Sequence, residues 1–325
     1  MREITAEEAG STTLDPAAFA APVGERIGAL TRSLGPDLEP VVSGLVERPG
    51  KRLRSRLVAH CAWLGDPDPA RAVRAGALVE LLQVASLLHD DIVDQAETRR
   101  FAPAAHVTHG VESTVLGGVA CFALAGLEAA ELGAVTNRVT SRAVADLARG
   151  EMLDVERAFD VQLSAADYLA VIEGKTAPLF RLSCELGAVM GGCGRQVRDA
   201  VAAFGAELGV AFQVLDDCLD IEDAGTGKPG GRDLALGLFG APVLCALQAA
   251  GDDRELAGLL LSPDFDAGDL RRIGELVVRH GGIVAARALA AERLERALAA
   301  LEPVPAGPGR DGLEALAQRL RGAPA

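Results

Sequence analysis

The sequence is poor in aromatic residues and in strand-forming patterns. Aromatic residues make up 3% of the 325-residue chain, with one tryptophan and one tyrosine. Runs in which β-branched residues alternate with polar ones, the usual signature of a strand, are nearly absent. The sequence therefore does not favour a β-sandwich or a barrel.

Basic residues are also in the minority. Lysine and arginine number 32 against 46 aspartates and glutamates, which gives a formal net charge of −14. A protein that binds nucleic acid in general needs a basic surface to neutralise the phosphate backbone. We therefore expect no nucleic-acid partner.

The sequence lacks paired cysteines and a secretion signal. Six cysteines lie apart in apolar segments without a CxxC pair: Cys61, Cys121, Cys184, Cys193, Cys218 and Cys245. This spacing predicts reduced, buried thiols, not a disulfide framework or a zinc site. The N-terminus, "MREITAEEAG", has no basic start and no apolar run. Because charges or glycines interrupt each apolar stretch, we predict no membrane span and expect a soluble, cytoplasmic protein.

Alanine, leucine, arginine and glutamate dominate instead, in a helical pattern. Asp15 and Pro16 have the character of an N-cap and a first helical residue, and this helix is predicted to stop at Gly35 and Pro36. Further helices are predicted over about 52–64, 70–94, 112–131, 136–157, 165–190, 195–221, 233–249, 267–280 and 283–301. We expect residues 1–15 to form a flexible leader and 303–312 a linker to a short C-terminal helix. No break separates two cores, so residues 1–325 are predicted to form one all-α domain, a helix bundle.

Two acidic motifs of the form DDxxD each follow an apolar turn: "ASLLHDDIVD" at 85–94 and "AFQVLDDCLD" at 211–220. Like charges this close repel one another, so each motif suggests a bound cation. Residues four apart on a helix lie roughly 40° apart, so Asp90 and Asp94 share a face, as do Asp216 and Asp220. Carboxylates without histidine or cysteine suit Mg²⁺, which keeps positions for water and phosphate. For either motif alone, a solvated acidic helix face explains the sequence equally well.

Cationic residues lie near these motifs and beside predicted helix ends: Lys51, Arg52, Arg54, Arg99, Arg100, Lys175 and Lys228. Arginine recognises phosphate through several planar donors, and lysine acts as a point charge on a flexible stem. A single lysine or arginine is more often an ordinary solvated surface residue than a ligand-binding one. Their number beside acidic motifs in an acidic protein predicts that a diphosphate binds here together with metal.

The motifs and their order resemble the trans-isoprenyl diphosphate synthase (polyprenyl synthetase) family over about residues 20–300. The matching segments are "GKRLR" at 50–54, "ELLQVASLLHDDIVDQAETRR" at 80–100, "GEMLD" at 150–154, "GKTAPL" at 174–179, "FQVLDDCLD" at 212–220 and "GKPGGRDL" at 227–234. This resemblance implies an antiparallel helix bundle around a deep central cavity, usually as a homodimer. It also implies a Mg²⁺-dependent enzyme that condenses isopentenyl diphosphate head-to-tail with an allylic diphosphate to give an all-trans polyprenyl diphosphate.

The same resemblance implies roles for single residues. About three Mg²⁺ ions would be held by Asp90, Asp94, Asp216 and Asp220, with Asp91 and Asp217 in support. Isopentenyl diphosphate would be bound by Lys51, Arg54, Gln83 and Arg100. The allylic diphosphate would be bound by Arg99, Lys175, Gln213 and Lys228, with Thr176 at the cavity wall. Asp90, Asp94, Asp216, Lys175 and Arg99 would form the catalytic set, which neutralises the leaving diphosphate.

Several positions depart from the family pattern. Gln83 stands where many members have histidine, Phe101 replaces a common glycine, Glu151 a common glutamine and Val119 an aspartate. Leu238 and Gly240 stand where short-chain synthases usually show lysine and threonine. One cation for diphosphate is therefore missing, although similar Gly-Leu forms occur in long-chain synthases.

Residues just before the first motif predict the product length. In the family, bulky aromatics four and five positions before the motif stop growth at short chains, and here these positions are Ser86 and Ala85. Their small side chains predict geranylgeranyl diphosphate or a longer product, unless they are small merely for helix packing. Peripheral contact with a membrane for release of such a product stays open.

Three alternatives remain. A class I terpene cyclase would pair one DDxxD with an Asn/Ser/Glu metal triad, whereas this chain has two DDxxD motifs. A non-catalytic or regulatory subunit of a hetero-oligomeric prenyl synthase fits the losses at positions 101 and 238 but not the intact aspartates. A helical metal-binding protein without chemistry is the third.

Overall fold

The computed structural model describes residues 16–224, 232–263 and 265–322. Within these ranges the chain forms sixteen α-helices and one two-stranded sheet. The all-α fold expected from the sequence is confirmed. The expected leader, residues 1–15, lies outside the described residues.

The helices follow one another through mostly short connections. They are α1 (Pro16–Arg32), α2 (Gly35–Glu47), α3 (Leu53–Ala62), α4 (Pro69–Val93), α5 (Ala105–His109), α6 (Val111–Leu132), α7 (Ala134–Glu156), α8 (Ala165–Lys175), α9 (Ala177–Met190), α10 (Arg195–Ala224), α11 (Arg232–Ala235), α12 (Ala241–Ala250), α13 (Glu255–Leu260), α14 (Ala267–Arg279), α15 (Gly282–Ala300) and α16 (Pro308–Arg321). Strands β1 (Thr98–Arg99) and β2 (Ala102–Pro103) pair antiparallel, with Thr98 opposite Pro103 and Arg99 opposite Ala102.

Helix α4 carries the first acidic motif at its C-terminal end. Its start is fixed by Asp68, whose carboxylate accepts hydrogen bonds from the amides of Ala70 at 2.9 Å and Arg71 at 3.4 Å. Pro69 takes the first turn, where its missing N–H costs no hydrogen bond. The helix then runs through the core and ends at Val93. The motif aspartates therefore lie where α4 leaves the core.

The structure differs from several predicted helices, and the one expected over 233–249 is two helices, α11 and α12. A second helix, α2, begins where the sequence predicted a stop, and α13 was not predicted. The helix expected over 165–190 is two helices that meet at Thr176, because Pro178 in the first turn of α9 has no N–H to continue the ladder of α8. The segment 303–312 is not all linker, since α16 begins at Pro308.

Buried apolar residues form three clusters. The first joins α1, α4 and α6, the second lies among α8, α10, α12, α14 and α15, and the third joins α3, α9, the first part of α10 and α16. Helix α10 thus belongs to the second and third clusters, and it carries the second acidic motif. The long central helices position both motifs.

Helices α4 and α6 are long and apolar enough, by length and composition alone, to cross a membrane. This result differs from the sequence expectation, which counted interrupting charges and glycines. In the structure 72% of the apolar window of α4 and 50% of that of α6 are buried inside the protein. Helix α4 is a core helix, whereas α6 has one face outside the core.

Candidate active site

The first acidic motif is tied to the hairpin that follows it. Asp91 is buried, and its Oδ1 lies 2.6 Å from both Nε and Nη2 of Arg99. Such a charge-assisted contact is among the stronger side-chain hydrogen bonds. It holds the first strand of the hairpin, and thereby Arg99, beside the motif.

The turn of this hairpin has an unfavourable backbone conformation at both of its central residues. Arg100 and Phe101 both have positive φ, 52° and 62°. Positive φ at both central residues suits a two-residue hairpin but favours glycine or asparagine. The guanidinium of Arg100 donates to the backbone carbonyls of Leu45, at 3.1 Å, and of Arg48. These bonds to the end of α2 hold the turn, while the Phe101 side chain is fully exposed.

The surroundings of Asp90 and Asp94 raise the pKa of both carboxyl groups. Burial, and then the neighbouring charge of Glu151, raises the pKa of Asp90 to about 7 against the pull of Lys175 and Arg99. Burial also raises the pKa of Asp94, and Asp233 and Asp154 raise it further. A bound cation would reverse both shifts, because it stabilises the ionised form.

The second motif faces the first across a cleft of about 630 Å³. The wall of this cleft includes Asp94, Arg99, Asp217, Asp220 and Asp233. Asp216 is exposed; partial desolvation raises its pKa, while Lys51 and Arg99 act against the rise. Arg99 and Asp233 lie close enough to Asp94 and Asp216 to act on the pKa of each.

Lys175 is brought to this site by the contact between α7 and α8. Gly150 and Gly174 meet so closely that a Cβ on Gly150 would lie 2.2 Å from the backbone of α8. The Lys175 Nζ then lies 2.7 Å from Asp154 and 3.1 Å from Glu151. Burial would lower the pKa of Lys175, but these carboxylates raise it above its ordinary range. Lys175 is therefore a fixed positive charge within electrostatic reach of Asp90.

A chain of side-chain hydrogen bonds links the predicted residues Thr176 and Gln213. The Thr176 hydroxyl donates to Gln213 Oε1 at 2.8 Å, and Gln213 Nε2 donates to Asp217 at 2.9 Å. Asp217 also accepts from the buried Tyr168 hydroxyl at 2.7 Å and from the amide of Ala241 at 2.9 Å. Burial raises the pKa of Asp217 to about 6 despite these donors. The carboxylate of Asp217 is thus taken up by three protein donors.

Arg54 and Arg100 form a second cationic region around Glu80. Burial lowers the pKa of Arg54 to about 10, while Glu80 and Asp90 favour its charged form. The guanidinium of Arg54 lies 4.8 Å from the centre of the Phe180 ring, a cation–π distance. Gln83, half-buried on α4, lies two turns before Asp90 on nearly the same face. Lys51 lies on the exposed side, near Asp216.

The two predicted chain-length residues are both buried. Ala85 belongs to the first apolar cluster, and the Ser86 hydroxyl lies 3.4 Å from Asp90 Oδ2. Both residues thus lie about one turn before Asp90 on α4.

Sequence analysis missed three members of the site, Glu151, Asp154 and Tyr168. Glu151 was named only as a departure from the family pattern, Asp154 only within the "GEMLD" segment, and Tyr168 only as the single tyrosine of the chain. One predicted residue, Lys228, lies outside the described residues. Of the others, Lys175 and Gln213 line one pocket, Arg54 and Arg100 lie near Glu80, and Lys51 lies near Asp216.

The family model for polyprenyl synthetase matches residues 36–277. The chain belongs to the polyprenyl synthetase family. The nonaprenyl diphosphate synthase of Mycobacterium tuberculosis is 32% identical over 271 residues, which cover 82% of this chain and 81% of that protein. Component 2 of the heptaprenyl diphosphate synthase of Geobacillus stearothermophilus is 31% identical over 277 residues, which cover 84% of this chain and 86% of that protein.

Solved structures share this fold. A polyprenyl synthase from Caulobacter crescentus, complexed with calcium and isoprenyl diphosphate, superposes with a TM-score of 0.87 and 34% identity, covering 94% of each chain. This polyprenyl synthetase therefore has the isoprenoid synthase fold, and its relatives are prenyltransferases, as the motifs predicted.

Proposed function

We propose that the chain is a Mg²⁺-dependent trans-polyprenyl diphosphate synthase that adds isopentenyl diphosphate head-to-tail to an allylic diphosphate. The observation that carries this proposal is the pairing of the two acidic motifs across one 630 Å³ cleft that Arg99 also lines. Lys175 adds a fixed positive charge next to the first motif. Carboxylates and cations thus lie around one volume, which suits a diphosphate with divalent metal.

The donor set fits Mg²⁺. Its members are carboxylates, which are hard oxygen ligands, and burial or neighbouring carboxylates raise the pKa values of Asp90, Asp94 and Asp216. Among the described residues, no three acidic, histidine or cysteine side chains converge closely enough to hold an ion by themselves. We infer that Asp90 and Asp94 on one side, with Asp216 and Asp220 on the other, share the metal with diphosphate oxygens.

The residues of the chain hold the two substrates on opposite sides of the first motif. On the allylic side, Arg99, Lys175 and Gln213 surround the diphosphate, and Thr176 fixes the amide of Gln213. On the other side, Lys51, Arg54, Gln83 and Arg100 bind isopentenyl diphosphate. When bound, Mg²⁺ supplies Lewis-acid stabilisation of the negative charge that develops on the leaving pyrophosphate.

The bonds made and broken follow from this placement. The allylic C–O bond breaks and its electron pair leaves with pyrophosphate. The π-electron pair of isopentenyl diphosphate then forms the new C–C bond, and pyrophosphate accepts the proton that is lost. Arg99 and Lys175 stabilise the departing charge, so no aspartate needs to act as a base.

We propose geranylgeranyl diphosphate or a longer product. Small side chains at Ala85 and Ser86 support this length, because an aromatic ring there would meet a chain that descends from Asp90 along α4. The nonaprenyl and heptaprenyl names of two relatives are consistent with a long chain.

We also propose that the enzyme is a cytoplasmic homodimer formed through α6. Between positions 115 and 130 every exposed residue of this helix is apolar: Val115, Leu116, Val119, Ala123, Leu127 and Ala130. Such a stripe on a long helix is typical of an interface, and a second copy offers a matching stripe.

All six cysteines are free, and four are buried, which suits a reducing compartment. Peripheral membrane contact for product release is compatible with this arrangement.

The second candidate function is a non-catalytic subunit. It is favoured by the neutral Leu238, by the strained Phe101 and by the resemblance to a protein named component 2. A class I terpene cyclase is less well supported, because both acidic motifs are DDxxD.

One assay separates these functions. The purified chain is incubated alone with Mg²⁺, isopentenyl diphosphate and farnesyl diphosphate, and the products are identified by mass spectrometry. A synthase gives a ladder of prenyl diphosphates ending at twenty or more carbons. No product without a partner protein would favour the subunit, and cyclic hydrocarbons would favour the cyclase.

A further inference from the structure

A small pocket of about 100 Å³ adjoins the allylic side of the site. Its wall includes Lys175, Gln213, Leu238 and Arg157. Lys175 is already held by two carboxylates, and Leu238 carries no charge. Among the described residues of this wall, Arg157 is therefore the cation with the most freedom to meet a ligand.

The ion pairs of Arg157 are loose. Its guanidinium nitrogens lie 3.8 Å from Asp160 and 3.8 Å from Asp167, and all three side chains are partly exposed. Each aspartate has a shorter bond of its own: Asp160 accepts from the Gln162 amide at 3.0 Å, and Asp167 from the Ser164 hydroxyl at 2.6 Å. Exposed pairs of this kind contribute little stability. Arg157 can turn toward the pocket without leaving a carboxylate unpaired.

The loop that carries Arg157 is fixed against the segment that carries Leu238. The Phe159 amide donates to the Gly237 carbonyl at 2.8 Å. Gly237 has φ +73°, and a Cβ there would lie 2.5 Å from the Phe159 ring. The contact needs glycine on both counts. Arg157 and Leu238 are thus held on the wall of the same pocket.

We propose that Arg157 is a further substrate-binding residue, which contacts the diphosphate of the allylic substrate from the wall it shares with Leu238. This inference rests on the proposed function, since it assigns a ligand to that site. In this proposal the cation that short-chain synthases carry at position 238 is replaced by Arg157, on the loop after α7. Arg157 complements Arg99 and Lys175, whose charges are already engaged by Asp91, Asp154 and Glu151.

Binding of an unreactive ligand tests the proposal. Farnesyl thiolodiphosphate is titrated calorimetrically into wild type and Arg157→Gln in excess Mg²⁺. We expect Arg157→Gln to weaken binding about tenfold, the value of one charge-assisted hydrogen bond at a partly exposed site. The matched control is Arg149→Gln, on α7 about two turns before Arg157, exposed and paired with Asp146; it should bind as wild type does. In turnover, the KM for farnesyl diphosphate should rise while that for isopentenyl diphosphate stays within about twofold.

A charge placed at position 238 gives the second test. Leu238→Lys in the Arg157→Gln background should restore most of the lost affinity, and Leu238→Met in that background should not. Unchanged affinity in folded Arg157→Gln would overturn the proposal. A loss that Leu238→Lys does not relieve would also overturn it, because the loss would then come from the loop. If wild type binds the analogue but makes no product, the proposed function fails while the binding data still decide on Arg157.

Discussion

Tyr168 is the only tyrosine of the chain, and its hydroxyl is buried against Asp217. Asp217 in turn accepts a hydrogen bond from Gln213, which we propose binds the allylic diphosphate. In that proposal the tyrosine is a positioning residue that acts through two other side chains. Its ring also packs in the second apolar cluster, so removing the hydroxyl alone separates the hydrogen bond from the packing.

We predict that Tyr168→Phe lowers the free energy of unfolding by about 1–3 kcal/mol, because a hydrogen bond to a half-buried carboxylate is lost. Urea denaturation of Tyr168→Phe, Asp217→Asn and the double variant measures the coupling. The two losses should fall well short of additive. Additive losses would mean that the hydroxyl and the carboxylate do not act as a pair.

Ser86 tests the length assignment at a single position. Ser86→Phe would place an aromatic ring one turn behind Asp90, so we expect the product distribution to shift toward farnesyl diphosphate. Ser86→Ala is the control that keeps the position small and should keep the length. Mass spectrometry of products at identical substrate ratios gives the answer. Unchanged lengths in a folded, active Ser86→Phe would show that the chain grows along another path.

At the scale of helices, Glu128 joins three elements. It is buried on α6, and its carboxylate accepts from Arg26 of α1 and, at 3.0 Å, from Arg74 of α4. Burial would raise the pKa of Glu128, but hydrogen bonds from the two guanidinium groups outweigh it and hold the pKa below its ordinary value of 4.5. The charged form of Glu128 therefore stabilises the fold.

We predict that Glu128→Gln lowers the free energy of unfolding by about 1–3 kcal/mol at neutral pH. Because the pKa is depressed in the folded state, this contribution is complete above pH 4.5 and is lost as the pH falls through the folded pKa. The gap between wild type and variant should close in acid. Thermal unfolding from pH 3 to 8 measures it, with the exposed Glu131→Gln as control. A gap that widens in acid would contradict the assigned charge state.

The helices with strong periodicity were predictable, and the breaks between them were less so. The bounds of α4, α7 and α15 follow closely from caps and apolar spacing. The division at Thr176 was missed because both flanking segments are apolar enough to read as one helix. The early start of α16 was missed because proline and glycine read as linker, although Pro308 occupies a first turn without cost.

The residues of the candidate site were likewise only partly predictable from the sequence. Residues in charged motifs, such as Asp90 and Arg99, could be named from the sequence. The roles of Glu151 and Tyr168 could not, because their positions depend on how α7 packs against α8 and how α8 packs against α10. Arg157 was missed for the same reason, since nothing local distinguishes it from a surface arginine.

For the whole molecule, the apolar stripe on α6 predicts the oligomeric state. We expect wild type to be a dimer, and Leu116→Glu with Val119→Glu to give a folded monomer, because burying two carboxylates in the interface is costly. Light scattering after size-exclusion chromatography measures the mass. The exposed Val278→Glu with Val284→Glu is the control and should stay dimeric. A wild-type monomer, or a dimer that survives the α6 changes, would contradict this interface.

The central claim is that the two acidic helices act on one diphosphate. The most direct test is the Mg²⁺-dependent rate of isopentenyl diphosphate incorporation into farnesyl diphosphate by wild type, Asp90→Asn and Asp216→Asn. Asp199→Asn, exposed on the same helix as Asp216, is the control. Metal-mediated charge stabilisation is worth several kcal/mol, so we predict that each motif variant loses about a hundredfold or more in kcat while Asp199→Asn keeps the wild-type rate. A near-normal rate in either Asp90→Asn or Asp216→Asn would contradict the account.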